Sequence, residues 1–235
     1  MTYSATASHS AAPPQGSGRF LATFIACVVV ILAVIVFGLL IAKNAANTAA
    51  ETNVLAQISR SRVSSVVDIS LALDKVFSPT FAIVIGIVAA GLVFLASRKW
   101  MTVIHFVLLM AGTWLGSEVV KLIVRRPRPT ARLADTLVPN PDPDSYPSGH
   151  VCFAVGLGFA LFVVIANARL TVIVGILAVI LSVGTAWTRV YLGIHYPSDA
   201  IASLVYSAAA FVAIEALWRQ FSGRIFRMAR RSATA

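Results

Sequence analysis

The chain has 235 residues, of which 58% are hydrophobic and only 12% charged, and it carries a formal net charge of +10. Soluble domains hold about a quarter charged residues, so this composition excludes a soluble globular protein. In a soluble chain the positive charge would point to nucleic acid. Here, apolar runs of about 17 residues or more make the basic loops a matter of membrane orientation and anionic lipid head groups. The expected fold class is all-α: a polytopic membrane protein with six transmembrane helices joined by short loops, in one domain.

Residues 1–18, rich in Ala, Ser, Thr, Pro and Gly, read as a disordered tail. The six-span domain is expected over 19–218, and a basic tail over 219–235. The first span is read over 20–42. It is too long for a signal-peptide core and lacks a cleavage site. Residues 43–78 are mixed in character. Val63, Val66, Val67 and Leu71 recur at helical spacing and predict an amphipathic helix lying on the membrane, or else a plain surface loop helix. Pro79 suits the first position of the second span, 80–96. The third span is read over 101–123 and contains Gly112 and Gly116, a spacing that suits close helix packing. The remaining spans are read over 150–166, 170–187 and 198–218. Cys27 and Cys152 fall at opposite membrane depths in this scheme, so no disulfide is expected, and no Cys/His cluster suggests a metal site.

Two polar islands interrupt the apolar pattern. The first runs from Lys121 to His150 and holds six of the chain's ten prolines. The second holds Arg189, His195 and Asp199. Phosphoryl transfer requires fixed cations for the phosphate oxygens, a nucleophile, an acid for the leaving oxygen and a group that orients the nucleophile. Lys121, Arg128 and Arg189 are candidate cations, since arginine binds phosphate in bidentate fashion and lysine acts as a point charge. A juxtamembrane patch for lipid head groups is the alternative. It suits Arg125, Arg126 and Arg132, which are set apart from the catalytic candidates. Ser148-Gly149-His150 stands at a helix start, where free amides favour an anion; taken alone, a capped helix with an interfacial histidine is the favoured reading. Asp199, one turn after His195, can fix the imidazole tautomer, and it can equally be a helix cap. Glu118 is placed to compensate the charge of Lys121, and His105 is given no function.

Together, these residues resemble the three-part signature of the type-2 phosphatidic acid phosphatase superfamily, which includes membrane lipid phosphate phosphatases and soluble vanadium haloperoxidases. The first part is Lys121, six residues, then Arg128-Pro129. The second is Pro147-Ser148-Gly149-His150. The third is Arg189, His195 and Asp199, with Thr188 where the family has serine. The likeness covers roughly residues 80–215. It implies that His195 is the nucleophile forming a phosphohistidine, that Asp199 orients it, and that His150 protonates the leaving oxygen. It implies that Lys121, Arg128, Arg189 and the Ser148-Gly149 amides hold the phosphate, with no metal or other cofactor. The implied partner is a lipid phosphate or diphosphate in the bilayer: isoprenyl diphosphate, phosphatidate or phosphatidylglycerophosphate. Nucleic acid is not a partner in this reading, and the sequence does not set an oligomeric state. The alternatives are a lipid phosphotransferase using the same phosphohistidine and a non-enzymatic lipid transporter.

Six spans put both termini on one side. That side carries nine Lys/Arg and the other ten. Six of those ten lie in the candidate site region and have another reason to be basic. Setting them aside predicts cytoplasmic termini and an extracytoplasmic site at a cell membrane.

Overall fold

The computed structural model describes residues 17–129, 135–138 and 142–232. The tail expected over 1–18 lies outside the described residues as far as residue 16, and Ser17 and Gly18 already belong to the first helix. Eight helices form among the described residues: α1 (Ser17–Ala42), α2 (Ala45–Arg60), α3 (Ser64–Val76), α4 (Pro79–Ser97), α5 (Trp100–Val124), α6 (Gly149–Val164), α7 (Ala168–Tyr191) and α8 (Pro197–Ser232). No β-strand occurs among them.

Five of these helices, α1, α4, α5, α7 and α8, are long and apolar enough to cross a membrane. Their outward faces are lipid-like: Leu40, Ile87, Leu92, Val172 and Ile201 are each 61–67% exposed. In water such surfaces would be an aggregation hazard, whereas in hydrocarbon they are at home. The chain is a multi-pass membrane protein.

The fourth expected span, 150–166, forms within two residues of its expected bounds but is short for a membrane crossing. Helix α6 has 16 residues and ends at Val164. At 1.5 Å per residue it spans about 24 Å, against about 30 Å of hydrocarbon. Its position explains why this suffices. Val151 through Gly156 are all buried, with α5, α7 and α8 packed around the helix. Protein rather than lipid sets its length. Small residues allow these close contacts. A methyl group on Gly156 would meet the Met110 carbonyl of α5 at 2.8 Å, and one on Gly158 would meet Ala178 of α7 at 2.7 Å. Gly112 and Gly116 serve the same purpose within the bundle, facing Ile214 and Tyr206 of α8.

Residues 43–78 form two helices rather than a loop. Leu55 of α2 is fully buried in a cluster with Val151, Val155 and Val190. The amphipathic helix expected near Val63–Leu71 appears as α3, with Ile69 and Leu71 exposed and Ser70 and the following Phe77 buried. Pro79 occupies the first turn of α4, as its fixed φ favours. Helix α8 continues into the region read as a basic tail, as far as Ser232. Cys27 and Cys152 are both free and buried.

Candidate active site

Helix α5 ends where Arg125 adopts a left-handed conformation, with φ 48°. Pro127 and Pro129 then forbid a return to helix. The extended segment pairs briefly with residues 143–145: Ser145 N–H donates to Arg126 O at 2.8 Å, and Arg128 N–H to Pro143 O at 3.1 Å. In an extended segment, residues two apart face the same side. Arg126 and Arg128 therefore both turn inward, and Pro127 is exposed.

Between α7 and α8 the chain reverses at Gly193, whose φ of 77° suits glycine. The amides of Ile194 and His195 both donate to the Arg189 carbonyl at 3.3 Å. This turn accounts for the spacing between Arg189 and His195. His195 is 1% exposed. Arg128 Nη1 lies 2.9 Å from its Nε2. Guanidinium can only donate, so Nε2 presents its lone pair and Nδ1 carries the proton. Nδ1 faces Asp199 Oδ2 at 3.7 Å, longer than a hydrogen bond. Burial first, and then Arg128, Arg189 and Lys121, push the His195 imidazole well below its ordinary value of 6.5. It is a neutral base at neutral pH.

Asp199 caps α8 and also stands near His195. Its Oδ2 accepts the Tyr196 N–H at 3.0 Å, a reach from the third helical position back to the cap, while the same oxygen faces His195. Ser203 Oγ donates to the Asp199 carbonyl at 2.6 Å and accepts the Ser148 N–H at 2.7 Å, which ties the start of α6 to α8.

That last contact modifies one expectation. The Ser148 amide is already engaged, so it is not free for an anion. Ser148 instead offers a buried hydroxyl that has no hydrogen-bond partner among the described residues. Gly149 and His150 begin α6, and both line the cavity described below. His150 Nε2 lies 3.2 Å from the Asp74 carbonyl oxygen and 3.6 Å from its Oδ1. A carbonyl can only accept, so this nitrogen carries a proton.

A cavity of about 430 Å³ opens at this end of the bundle, and Lys121, Arg128, Gly149, His150 and His195 line it. Ser148, Arg189 and Asp199 are buried and are not among its lining residues. Phe77, Pro79 and Trp114 add an apolar side. Carboxylates sit on the cations. Asp142 Oδ2 lies 2.7 Å from Lys121 Nζ and 3.3 Å from Arg128 Nη2. Burial works to raise the Asp142 carboxyl, but hydrogen bonds from Lys121 and the Asp144 amide outweigh it and hold it below its ordinary range. Glu118 is 3.2 Å from Lys121, the charge compensation expected of it. Asp74 pairs with Arg189, whose Nε and Nη2 are buried without a partner among the described residues. Among those residues no three His, Cys, Asp or Glu converge as a metal site.

Sequence reasoning misplaced one residue and missed three. Arg126, set aside as a lipid-facing basic residue, is 1% exposed and bonded to Asp199 Oδ1 at 2.6 Å. Its inward turn follows from the same extended segment that places Arg128. Arg125 is exposed, as expected, and Arg132 lies outside the described residues. Glu51, Asp74 and Asp142 were not singled out as site residues. Their common signal is an acidic residue within the polar segments at the site end of the spans.

The comparisons with known proteins agree with this geometry. A family model described as the PAP2 superfamily matches residues 101–224. A protein of Escherichia coli (strain K12) named as an undecaprenyl-diphosphatase, YbjG, is 29% identical over 86 residues, 36% of this chain. The match spans about 40% of that relative's length. The fold is similar to the crystal structure of a transmembrane PAP2-type phosphatidylglycerolphosphate phosphatase from Bacillus subtilis. The TM-score is 0.65 at 17% identity, over 88% of this chain and 97% of that one. With the family model covering more than half of its residues and all three motif segments inside the match, the chain belongs to the PAP2 superfamily.

Proposed function

We propose that the protein is a membrane hydrolase of lipid phosphates or diphosphates that works through a phosphohistidine at His195. The observation that carries this reading is the His195 Nε2 lone pair, 2.9 Å from Arg128, in one cavity with Lys121 and His150. The phosphoryl group displaces Asp142 from Lys121 and Arg128 and draws the Arg128 guanidinium off Nε2, which frees that lone pair; Arg189 and the Ser148 hydroxyl are assigned as further phosphate donors. Nε2 forms the bond to phosphorus, the bond to the leaving oxygen breaks, and that oxygen takes a proton from His150. Water then gives a proton to His150 and attacks phosphorus, which breaks the N–P bond and restores both histidines. Fixed cations carry the charge of the transition state, a role that needs no metal.

The lipid is read from sidedness. With cytoplasmic termini, the site faces outward and meets lipid carriers whose phosphates face outward. Isoprenyl diphosphate is the preferred substrate on this ground, supported by the name of the Escherichia coli relative. Impermeant thiol labelling of intact cells tests the orientation. Leu137→Cys should label and Ser222→Cys should not, and the opposite pattern overturns it. Activity is tested with purified protein on isoprenyl diphosphate, phosphatidate and phosphatidylglycerophosphate, scored by phosphate release in EDTA with and without acceptor alcohols. Release to water from at least one lipid is expected, with inhibition by vanadate. Activity that requires added Mg²⁺, or transfer only to an acceptor, would contradict the proposal.

A further inference from the structure

Arg126 and Arg189 are the largest fully buried side chains among the described residues, and no phosphate-facing role uses Arg126. Its Nη1 donates to Asp199 Oδ1 and to Ser198 Oγ, both at 2.6 Å. Its Nη2 donates to Glu51 Oε2 at 2.5 Å. The guanidinium carbon lies over the Tyr196 ring, 4.1 Å from its centroid. Glu51 in turn accepts the Ser198 N–H at 2.8 Å and its hydroxyl at 3.0 Å, so it caps α8 from outside that helix. Four contacts thus fix one guanidinium against the first turn of α8, where Asp199 stands.

From this arrangement we infer that Arg126 and Glu51 are positioning residues for the nucleophile. Two arginines on one face of an extended segment bracket the His195 ring: Arg128 contacts Nε2 directly, and Arg126 reaches Nδ1 through Asp199. The Asp199 carboxylate has two oxygens to place. Arg126 holds Oδ1, so Oδ2 turns to the Tyr196 amide and to Nδ1. A carboxylate on Nδ1 fixes the proton there and leaves Nε2 free to attack. Arg126 also supplies the charge without which a fully buried Asp199 would be uncompensated. Glu51 holds Arg126 in this pose, and it belongs to α2, outside the matched family segment. The three-part motif is therefore completed by a helix that precedes it.

The inference rests on the phosphohistidine reading, and the test separates the two. Single-turnover and steady-state rates would be measured for wild type, Arg126→Met, Arg126→Lys, Glu51→Gln and Asp199→Asn, with Arg128→Met for contrast. Wild type must first form phosphohistidine; if it does not, the functional proposal fails at that step and the inference with it. Given that intermediate, Arg126→Met should slow its formation about 10- to 100-fold, the range for residues that orient a functional group. Its KM should stay near the wild-type value, because Arg126 touches no phosphate. Arg128→Met should raise KM. Arg126→Lys should recover part of the rate, and Glu51→Gln should lose less than Arg126→Met. Arg126→Met in the Asp199→Asn background should add little further loss. A folded Arg126→Met with wild-type kcat, or one whose loss appears in KM, overturns the inference, as do losses that multiply with Asp199→Asn. If Arg126→Met does not fold, Glu51→Gln decides: wild-type kcat in that isosteric variant overturns it.

Discussion

The two ends of the helix bundle handle charge in opposite ways. At the site end, Lys121, Arg126 and Arg189 are buried, and each is bonded to a carboxylate. At the other end, Arg19, Arg98, Lys99, Arg169 and Arg219 are all exposed. There the main polar contact is His105 Nε2 to Glu215 Oε2 at 2.6 Å, with His105 stacked on Trp218 and Arg219 on the far side of Glu215. Exposed charges of one sign suit an interface with anionic lipid. Buried, paired cations cost much to desolvate, so they persist where an anion has to be bound. The sequence count of basic residues is nearly equal at the two ends; beside exposed Lys43, Arg60, Lys75 and Arg125, the site end alone holds buried cations among the described residues.

The largest way to break this contrast is His195→Ala. It should abolish both turnover and phosphoenzyme, measured by phosphate release and by trapping. Next is His150→Ala, which should cost on the order of 10²- to 10⁴-fold. That loss should be smallest for substrates with a good leaving group, and equal losses across leaving-group pKa would reassign the proton donor. A pH profile sharpens the contrast further. His195 acts as the neutral base, and its folded value is displaced well below 6.5 by burial and three cations. Protonation inactivates it, so the acid limb in kcat/KM that belongs to His195 must lie well below pH 6.5. An inactivating limb at or above pH 6.5 that follows His195 would deny the cationic setting. The smallest effect belongs to the other end. Arg219→Ala removes an exposed helical ion pair worth roughly 0.3–0.5 kcal/mol. It should leave kcat/KM unchanged and barely move the thermal midpoint.

The spans and the signature residues were legible because each rests on a local pattern. Apolar runs of membrane length mark five of the helices, and proline and glycine mark where polar segments begin. The short α6 was legible as a helix of about its true length, 150–166 against Gly149–Val164; that α5, α7 and α8 surround it was not. His195 and Asp199 were legible as a pair because one helical turn separates them. Whether Asp199 caps or orients was not: its Oδ2 accepts the Tyr196 amide as a cap and stands 3.7 Å from His195 Nδ1, beyond hydrogen-bond distance. Arg126 was misread because basic residues beside a span usually face lipid. Only the pairing of 126–128 with 143–145 turns it inward. Glu51 and Asp74 lie 75 and 115 residues from their arginine partners. Separations of that size leave no trace in local pattern.

The central claim is that the buried cations surround a nucleophilic imidazole. It is tested most directly by rapid quench of the wild type and of His150→Ala with a radiolabelled substrate that has a good leaving group. Hydrolysis is slowed in the variant, so the intermediate should accumulate. The account predicts protein-bound phosphate that is acid-labile, alkali-stable and located on the peptide containing His195. Phosphate on Ser148, on an aspartate in alkali-labile form, or on no residue during productive turnover would contradict it.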